Sequence, residues 1–384
     1  MRPLFAPTVT VARPWRVTRV RATAEDVLAP DELDELVACQ HAADLADRPG
    51  EPPCARAELL AQLAPPYRGT RFVHLAHDRS GRLVGYARLG IYGAFHRELA
   101  HATLTVHPSA RRHGVGSALL EELAGAAAAN GRRRLVLDGP RNAATEAFAR
   151  SSGLAVSSCD LRSRLTLADP ALAALLAAAI APRRSGAPER LAEPSPEAPR
   201  AESAARGPHR WHASETPPPA SLPAPRSGPD LLALRWAGPC PEYLLDALTG
   251  TLDTLHADPD DPSVTPFTPA EVRHRERAAD RAGLREYTAC LLDAETGSIA
   301  ALSTAHTADG VRGEQNETVV VPAYRGQGLA IRVKAYLVRE LLRAEPGLRV
   351  LETYNAVGNT RILAVNRRLG FVPVDTHAAW TMPL

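Results

Sequence analysis

The stretch "VVVPAYRGQGLAIRVKA", residues 319–335, decides how this chain is read. Val319, Val320 and Val321 suit a strand, because β-branched side chains pack well on a pleated surface. From Leu329 the spacing changes. Leu329, Val333, Leu337 and Leu341 recur every fourth residue, which predicts a helix with one buried face. The handover is Arg325-Gly326-Gln327-Gly328-Leu329-Ala330. Its glycines permit backbone angles closed to other residues and let a ligand approach the main chain. A helix beginning there presents unpaired amide N–H groups and the positive end of its dipole, which suits a phosphate or pyrophosphate. A turn with glycines for packing alone is the other reading. The dinucleotide fingerprint G-x-G-x-x-G and the Walker G-K-[ST] sequence are both absent.

The same pattern stands earlier, in "LTVHPSARRHGVGSALLEELA", residues 104–124. Arg111-Arg112-His113-Gly114-Val115-Gly116 repeats it, and proline lies three residues before the arginine in both copies, Pro108 and Pro322. A matching stripe follows at Val115, Leu119, Leu123 and Ala127. Strand candidates come next, at Leu135-Val136-Leu137 and Arg349-Val350-Leu351, then Asn142 or Asn359 opening a further helix. Each copy closes at Gly153-Leu154 or Gly370-Phe371. The motif arginine and the asparagine are 31 residues apart in one copy and 34 in the other. Features at such matched spacing predict a tandem duplication, and two copies favour a phosphate cradle over a packing turn.

The chain has 384 residues with 45 basic and 43 acidic, so nothing points to nucleic acid or a membrane surface as partner. Lys334 is the sole lysine. Five cysteines without a C-x-x-C pair argue against a disulfide framework or a zinc cluster and fit a reducing cytosol. The amino-terminal residues lack the apolar run of a signal peptide. The longest apolar run, "ALAALLAAAI" at 171–180, is shorter than the roughly 20 residues that span a bilayer and predicts a short helix. A soluble, cytoplasmic protein is expected. Between Pro182 and Pro229 there are 12 prolines in 48 residues, a composition that predicts a disordered linker. The expected domains are residues 1–168 and 231–384, joined by residues 169–230 carrying the Ala-rich helix and the linker.

A strand, V-x-P or V-V-P, then R-x-x-G-x-[GA] resembles motif A of the GCN5-related N-acetyltransferase (GNAT) superfamily. The downstream Asn and Gly-Phe resemble its motif B. The resemblance covers both flanks of the linker and is similar to the tandem actinobacterial members. It implies an α/β (α+β) fold of two GNAT domains, each a mixed, splayed sheet flanked by helices. It also implies acetyl-CoA as cosubstrate, no metal, and acetyl transfer to a small-molecule amine. The implied cofactor contacts are Leu104, Thr105, Val106, Arg111, Arg112, His113, Gly114, Val115, Gly116 and Asn142 in the first copy. In the second they are Thr318, Val319, Val320, Arg325, Gly326, Gln327, Gly328, Leu329, Ala330, Asn355 and Asn359.

The family's motif B tyrosine, an acid for the leaving thiolate, is replaced by Ala149 and Asn366. Asn366 lines the acetyl site or only cross-links. For a base, some members use a glutamate on the motif A strand. Eleven residues before Arg325 lies Glu314, and strict alternation puts it on the face of Thr318 and Val320, with Glu317 opposite. The same count in the first copy reaches Ala100, beside His101. Tyr324 and Tyr354 are weaker polar candidates, and the acidic run at 256–262 is a candidate attractor for a cationic amine. These departures leave two readings: an N-acetyltransferase working through its second domain, or a non-catalytic coenzyme A sensor or scaffold.

Overall fold

The computed structural model describes residues 15–23, 28–93, 97–181, 230–256 and 266–384. The Pro-rich stretch 182–229 and most of the acidic run at 256–262 lie outside the described residues. The first copy runs β1 (Trp15–Ala22), α1 (Pro30–Asp47), α2 (Arg56–Leu63), β2 (Gly69–Asp78), β3 (Leu83–Tyr92), β4 (Leu99–Val106), α3 (Val115–Ala129), β5 (Arg134–Pro140), α4 (Ala143–Ser151) and β6 (Ala155–Thr166). After α5 (Leu172–Ile180) the second copy repeats the order. It comprises β7 (Leu231–Ala237), α6 (Leu245–His256), α7 (Pro269–Ala282), β8 (Arg285–Asp293), β9 (Ile299–Thr307), β10 (Arg312–Val320), α8 (Leu329–Ala344), β11 (Val350–Ala356), α9 (Thr360–Arg368) and β12 (Val372–Pro383).

The two predicted helix stripes are buried. Val115, Leu119, Leu123 and Ala127 hold α3 on the first core, and Leu329, Val333, Leu337 and Leu341 hold α8 on the second. Each buried leucine is worth about 1.5–3 kcal/mol relative to exposure.

The twelve strands among the described residues form one sheet, ordered β1-β2-β3-β4-β5-β12-β6-β11-β10-β9-β8-β7. The last strand of each copy is therefore exchanged. β12 pairs with β5 of the first copy, and β6 pairs with β11 of the second. The cores follow the exchange. Ala378 and Trp380 of β12 belong to the first core, while Leu165 and Leu167 belong to the second. Leu172, Leu176 and Ala179 of the Ala-rich helix also pack into the second core, so that helix is no part of a free tether. A cut between residues 168 and 231 follows the repeat in sequence and not the packing.

Each copy contains a fork. β4 pairs with β5 in parallel only from Leu99↔Arg134 to Ala102↔Leu137, and then the strands part. β10 and β11 pair only from Arg312↔Val350 to Glu314↔Glu352. Those gaps are the expected splay, one per copy.

Candidate active site

Both glycine loops make the predicted turn. Gly328 caps α8 at φ 78°, and Gly114 caps α3 at φ 85°, both left-handed and with no side-chain cap. The first-turn N–H groups are thus left open to a ligand. Gly326 is also left-handed, at φ 80°, and its counterpart Arg112 is held there at φ 65° despite its side chain. His113, Arg112, Gly326 and Gln327 are exposed around these turns. Val115, beside its cap, is buried, as is Leu329, so each anchors its helix through the side chain.

The motif arginines brace the loops. Arg325 Nε donates to the Val320 carbonyl at 3.2 Å, and Arg111 Nε to that of Val106 at 3.1 Å. The remaining Arg111 guanidinium is bidentate on Asp47 at 2.6 and 2.9 Å. It was expected at the cofactor, but this pair turns it toward α1 instead.

The backbone register decides which strand amides face the fork. His107 donates to Val84, and Val321 donates to Ala300. By antiparallel alternation, Thr105 and Val319 then bond the neighbouring hairpin strand, whereas Leu104, Val106, Thr318 and Val320 turn their N–H and C=O groups to the gap.

In the second copy the helix side of the fork is polar and incompletely satisfied. Gln315 and Thr353 are the first residues past the last paired rung. Gln315 Oε1, Thr353 Oγ1 and Asn366 Oδ1 are buried without hydrogen-bond partners among the described residues. Asn366, 2% exposed, gives its amide nitrogen to Asn355 at 2.6 Å. Buried orphan acceptors in native folds call for a missing partner. The amide-bearing pantetheine arm of acetyl-CoA fits this donor and acceptor set. Asn359 accepts from the Ile362 amide at 3.3 Å and Asn142 from the Thr145 amide at 2.9 Å, so both cap helices. Tyr324 donates to Asp293 at 2.7 Å, in the neighbouring hairpin.

The first copy has apolar side chains at the corresponding places, Ala102, Leu137 and Ala149, all in its core. The Phe148 ring stands 3.1 Å from where a Cβ on Gly116 would be, and the Trp15 ring 3.2 Å from one on Gly114. Aromatic rings thus stand against Gly114 and Gly116 in the first copy, whereas a Cβ on Gly326 in the second would meet no atom within 4 Å.

Glu314 does not share a face with Thr318 and Val320. The register of β10 against β9 slips by one residue between Gln315 and Thr318, a β-bulge that alternation cannot anticipate. Glu314 therefore lies with Glu317 and Val319 on the α6/α7 face. Glu317 accepts from Thr304 and from Arg275 on α7, both at 2.6 Å. The bulge also corrects the equivalence between copies. Glu314 faces His306 on β9, and β4, which has no such slip, places His101 opposite Gly90 at the corresponding rung. His101 is the counterpart of Glu314; Ala100 corresponds to Gly313.

Burial, with the nearby Glu58 carboxylate adding to it, pushes the Glu314 carboxyl up to about 7. Burial opposes charge on Glu317 too, but Arg275 and the Thr304 hydroxyl together outweigh it and hold that group down to about 2. Tyr354, on β11 beyond the fork, is raised by burial and by Glu314.

The surroundings of Glu314 include first-copy residues that sequence reading missed. Glu58 on α2 pairs with Arg312 at 2.7 Å. Arg162 on the exchanged strand β6 is fully buried and bonds Glu51, Glu352 and Asp375. No local signal marks Arg162 in a strand that also carries Asp160 and Arg164, and its partners are up to 213 residues away.

Residues 36–154 match the model of the Acetyltransferase (GNAT) family. A mycothiol acetyltransferase of Actinosynnema mirum is 36% identical over 129 residues, which are 33% of this chain and 41% of that relative. The match thus spans under half of the curated relative's length. A tandem GNAT protein from the clavulanic acid biosynthesis pathway superposes with TM-score 0.67 at 22% identity, covering 96% of this chain and 98% of its own. A GCN5-related N-acetyltransferase from Sphaerobacter thermophilus gives TM-score 0.55 at 14% identity, covering 95% of each chain. Two glycine loops, two forks, the family match over residues 36–154 and the whole-chain likeness lead to one conclusion: the first copy is similar to the Acetyltransferase (GNAT) family, and the whole chain has the fold of a tandem GNAT protein.

Proposed function

We propose that the protein is an acetyl-CoA-dependent N-acetyltransferase for a small-molecule amine, and that the second copy carries the chemistry. The observation behind this is the second fork, with orphan acceptors on one side and Glu314 on the other. Bound acetyl-CoA supplies an activated acyl group as a thioester. The loop Arg325–Ala330 holds its pyrophosphate on open N–H groups. Thr318 and Val320 turn backbone donors to the gap, where negative charge on the carbonyl oxygen is stabilised. Glu314, on the α6/α7 face, takes the proton the amine nitrogen loses on forming its bond to the acyl carbon, and the acyl C–S bond breaks to release coenzyme A, which leaves as the thiol after taking up a proton. A carboxyl near 7 is matched to this task at neutral pH. The filled fork of the first copy supports a scaffolding role there, which includes Glu58 beside the second site.

Asn366, where a proton-donating tyrosine is usual, favours the second reading of a coenzyme A sensor without turnover. A free-thiol release assay with acetyl-CoA against a panel of amines, with mass detection of the products, separates the two. Thiol release with an acetylated amine supports the enzyme. Tight acetyl-CoA binding without release supports the sensor.

A further inference from the structure

A cavity of about 70 Å³ lies on the same face as Glu314, between α6, α7 and strands β8 to β10. Its walls include Trp236, Leu248, Leu302 and Glu286. Charges around it are mostly neutralised in pairs. Arg275 is bound to Glu317 at 2.6 Å. Glu276 accepts from Arg273 and from the Cys240 amide, each at 2.7 Å. The Glu286 carboxylate has no hydrogen bond among the described residues. The cavity therefore combines an indole wall, an apolar floor and one carboxylate without a hydrogen-bonded partner, its nearest cation, Arg275, being already paired with Glu317.

Strand register relates this carboxylate to the reacting centre. Glu286 faces His306 across β8 and β9, and His306 faces Glu314 across β9 and β10. Side chains directly opposite share a face, so the two carboxylates stand on one side of the sheet, roughly 10 Å apart by two strand spacings. Asn316 Nδ2 lies 3.0 Å from His306 Nδ1, fixing the ring between them.

We infer that the acceptor is a primary amine carrying a second cationic group, an ammonium or guanidinium, which Glu286 binds while Glu314 receives the reacting amine. This rests on the second copy being the acetylating one. The cavity holds the end of an alkylammonium chain and little more. Trp236 adds an aromatic face, which attracts cations.

Burial pushes Glu286 up to about 7, opposed by Arg275 and reinforced by Glu317 and Glu276. His306, between the carboxylates, is lowered by burial. The second cation therefore binds best once Glu286 has lost its proton.

The test compares α,ω-diamines with amino alcohols of equal length, in turnover by thiol release and in binding by calorimetry. Wild type is expected to favour the diamine by about tenfold or more, through KM, consistent with a charge-assisted contact. Glu286→Gln should collapse that preference toward one. In wild type, the diamine's binding advantage should grow from pH 6 to pH 8, an arm that survives if the variant misfolds. Equal affinities for the two ligands, or an equal loss for both in Glu286→Gln, would overturn the inference. If no amine releases thiol yet diamines bind preferentially, the enzymatic reading falls and the cation site stands.

Discussion

His101 and Glu314 occupy the same rung of the two copies, each on the central strand just before it leaves its parallel neighbour. One is a carboxylate pushed up to about 7. The other is an imidazole 3.8 Å from Asp138. The duplication has kept a titratable group at the fork and changed its kind.

Glu314→Gln retains shape but cannot accept a proton, and turnover should fall by roughly 10²-fold. In the wild type, activity should rise with pH through about 7 as Glu314 ionises, and the variant should lose that step. The folded carboxyl holds its proton to higher pH than the unfolded one. Wild-type stability from this group therefore falls as pH rises from the ordinary carboxylate range toward 7. Thermal melts at pH 5 and pH 8 should show the variant gaining relative stability at the higher pH. An unimpaired rate would pass the role of base to another group or to water.

Gly328→Asp places negative charge and a side chain at a left-handed helix cap facing the loop. It should abolish acetyl-CoA binding, measured by calorimetry on the full chain. Gly114→Asp and His101→Ala should reduce turnover much less, since the first fork is lined by the apolar Ala102, Leu137 and Ala149. Equal losses from the two loop variants would mean that both copies catalyse.

The side chain of Arg162 is 1% exposed and joins carboxylates from the first copy, β11 and β12. Arg162→Ala removes the fully buried cation of the cluster and leaves Glu51 and Glu352 with Arg164 alone. A loss of about 3–5 kcal/mol in urea denaturation is expected, as for other broken buried ion pairs. A change under 1 kcal/mol would show that the network does not hold the exchanged strands.

Lys334 is 1% exposed inside α8, 5.3 Å from the Phe371 ring centre, and burial lowers it to about 7. Between pH 7 and the usual lysine value of about 10.4, the unfolded chain binds more protons, so wild-type stability climbs with pH there. Lys334→Met should be more stable than wild type by several kcal/mol at pH 6, an order-of-magnitude figure. The gain should shrink as pH approaches 10. Melting temperatures across that range check it. A gain independent of pH would point to packing alone.

The duplication, both glycine turns, both helix stripes and the likeness of the first copy to the GNAT family were legible in the sequence. These properties are local or periodic, set by residues within a few positions of each other. Left-handed glycines, β-branched runs and four-residue stripes carry their conformations wherever the chain goes. The bulge at Gln315–Thr318 lies between the residues used for alternation, and it moved Glu314 to the α6/α7 face and matched it with His101. Strand exchange, the docking of α5 on α8 and the ion cluster around Arg162 depend on pairing between distant segments. Backbone ladders accept any strand whose hydrophobic face fits, so sequence alone could not choose between β6 and β12 as neighbour to β5. Tertiary packing made that choice. Trp380 entered the first core and Leu165 the second, and the choice brought Glu58 of the first copy against Arg312 of the second and Glu51 into one ion cluster with Glu352.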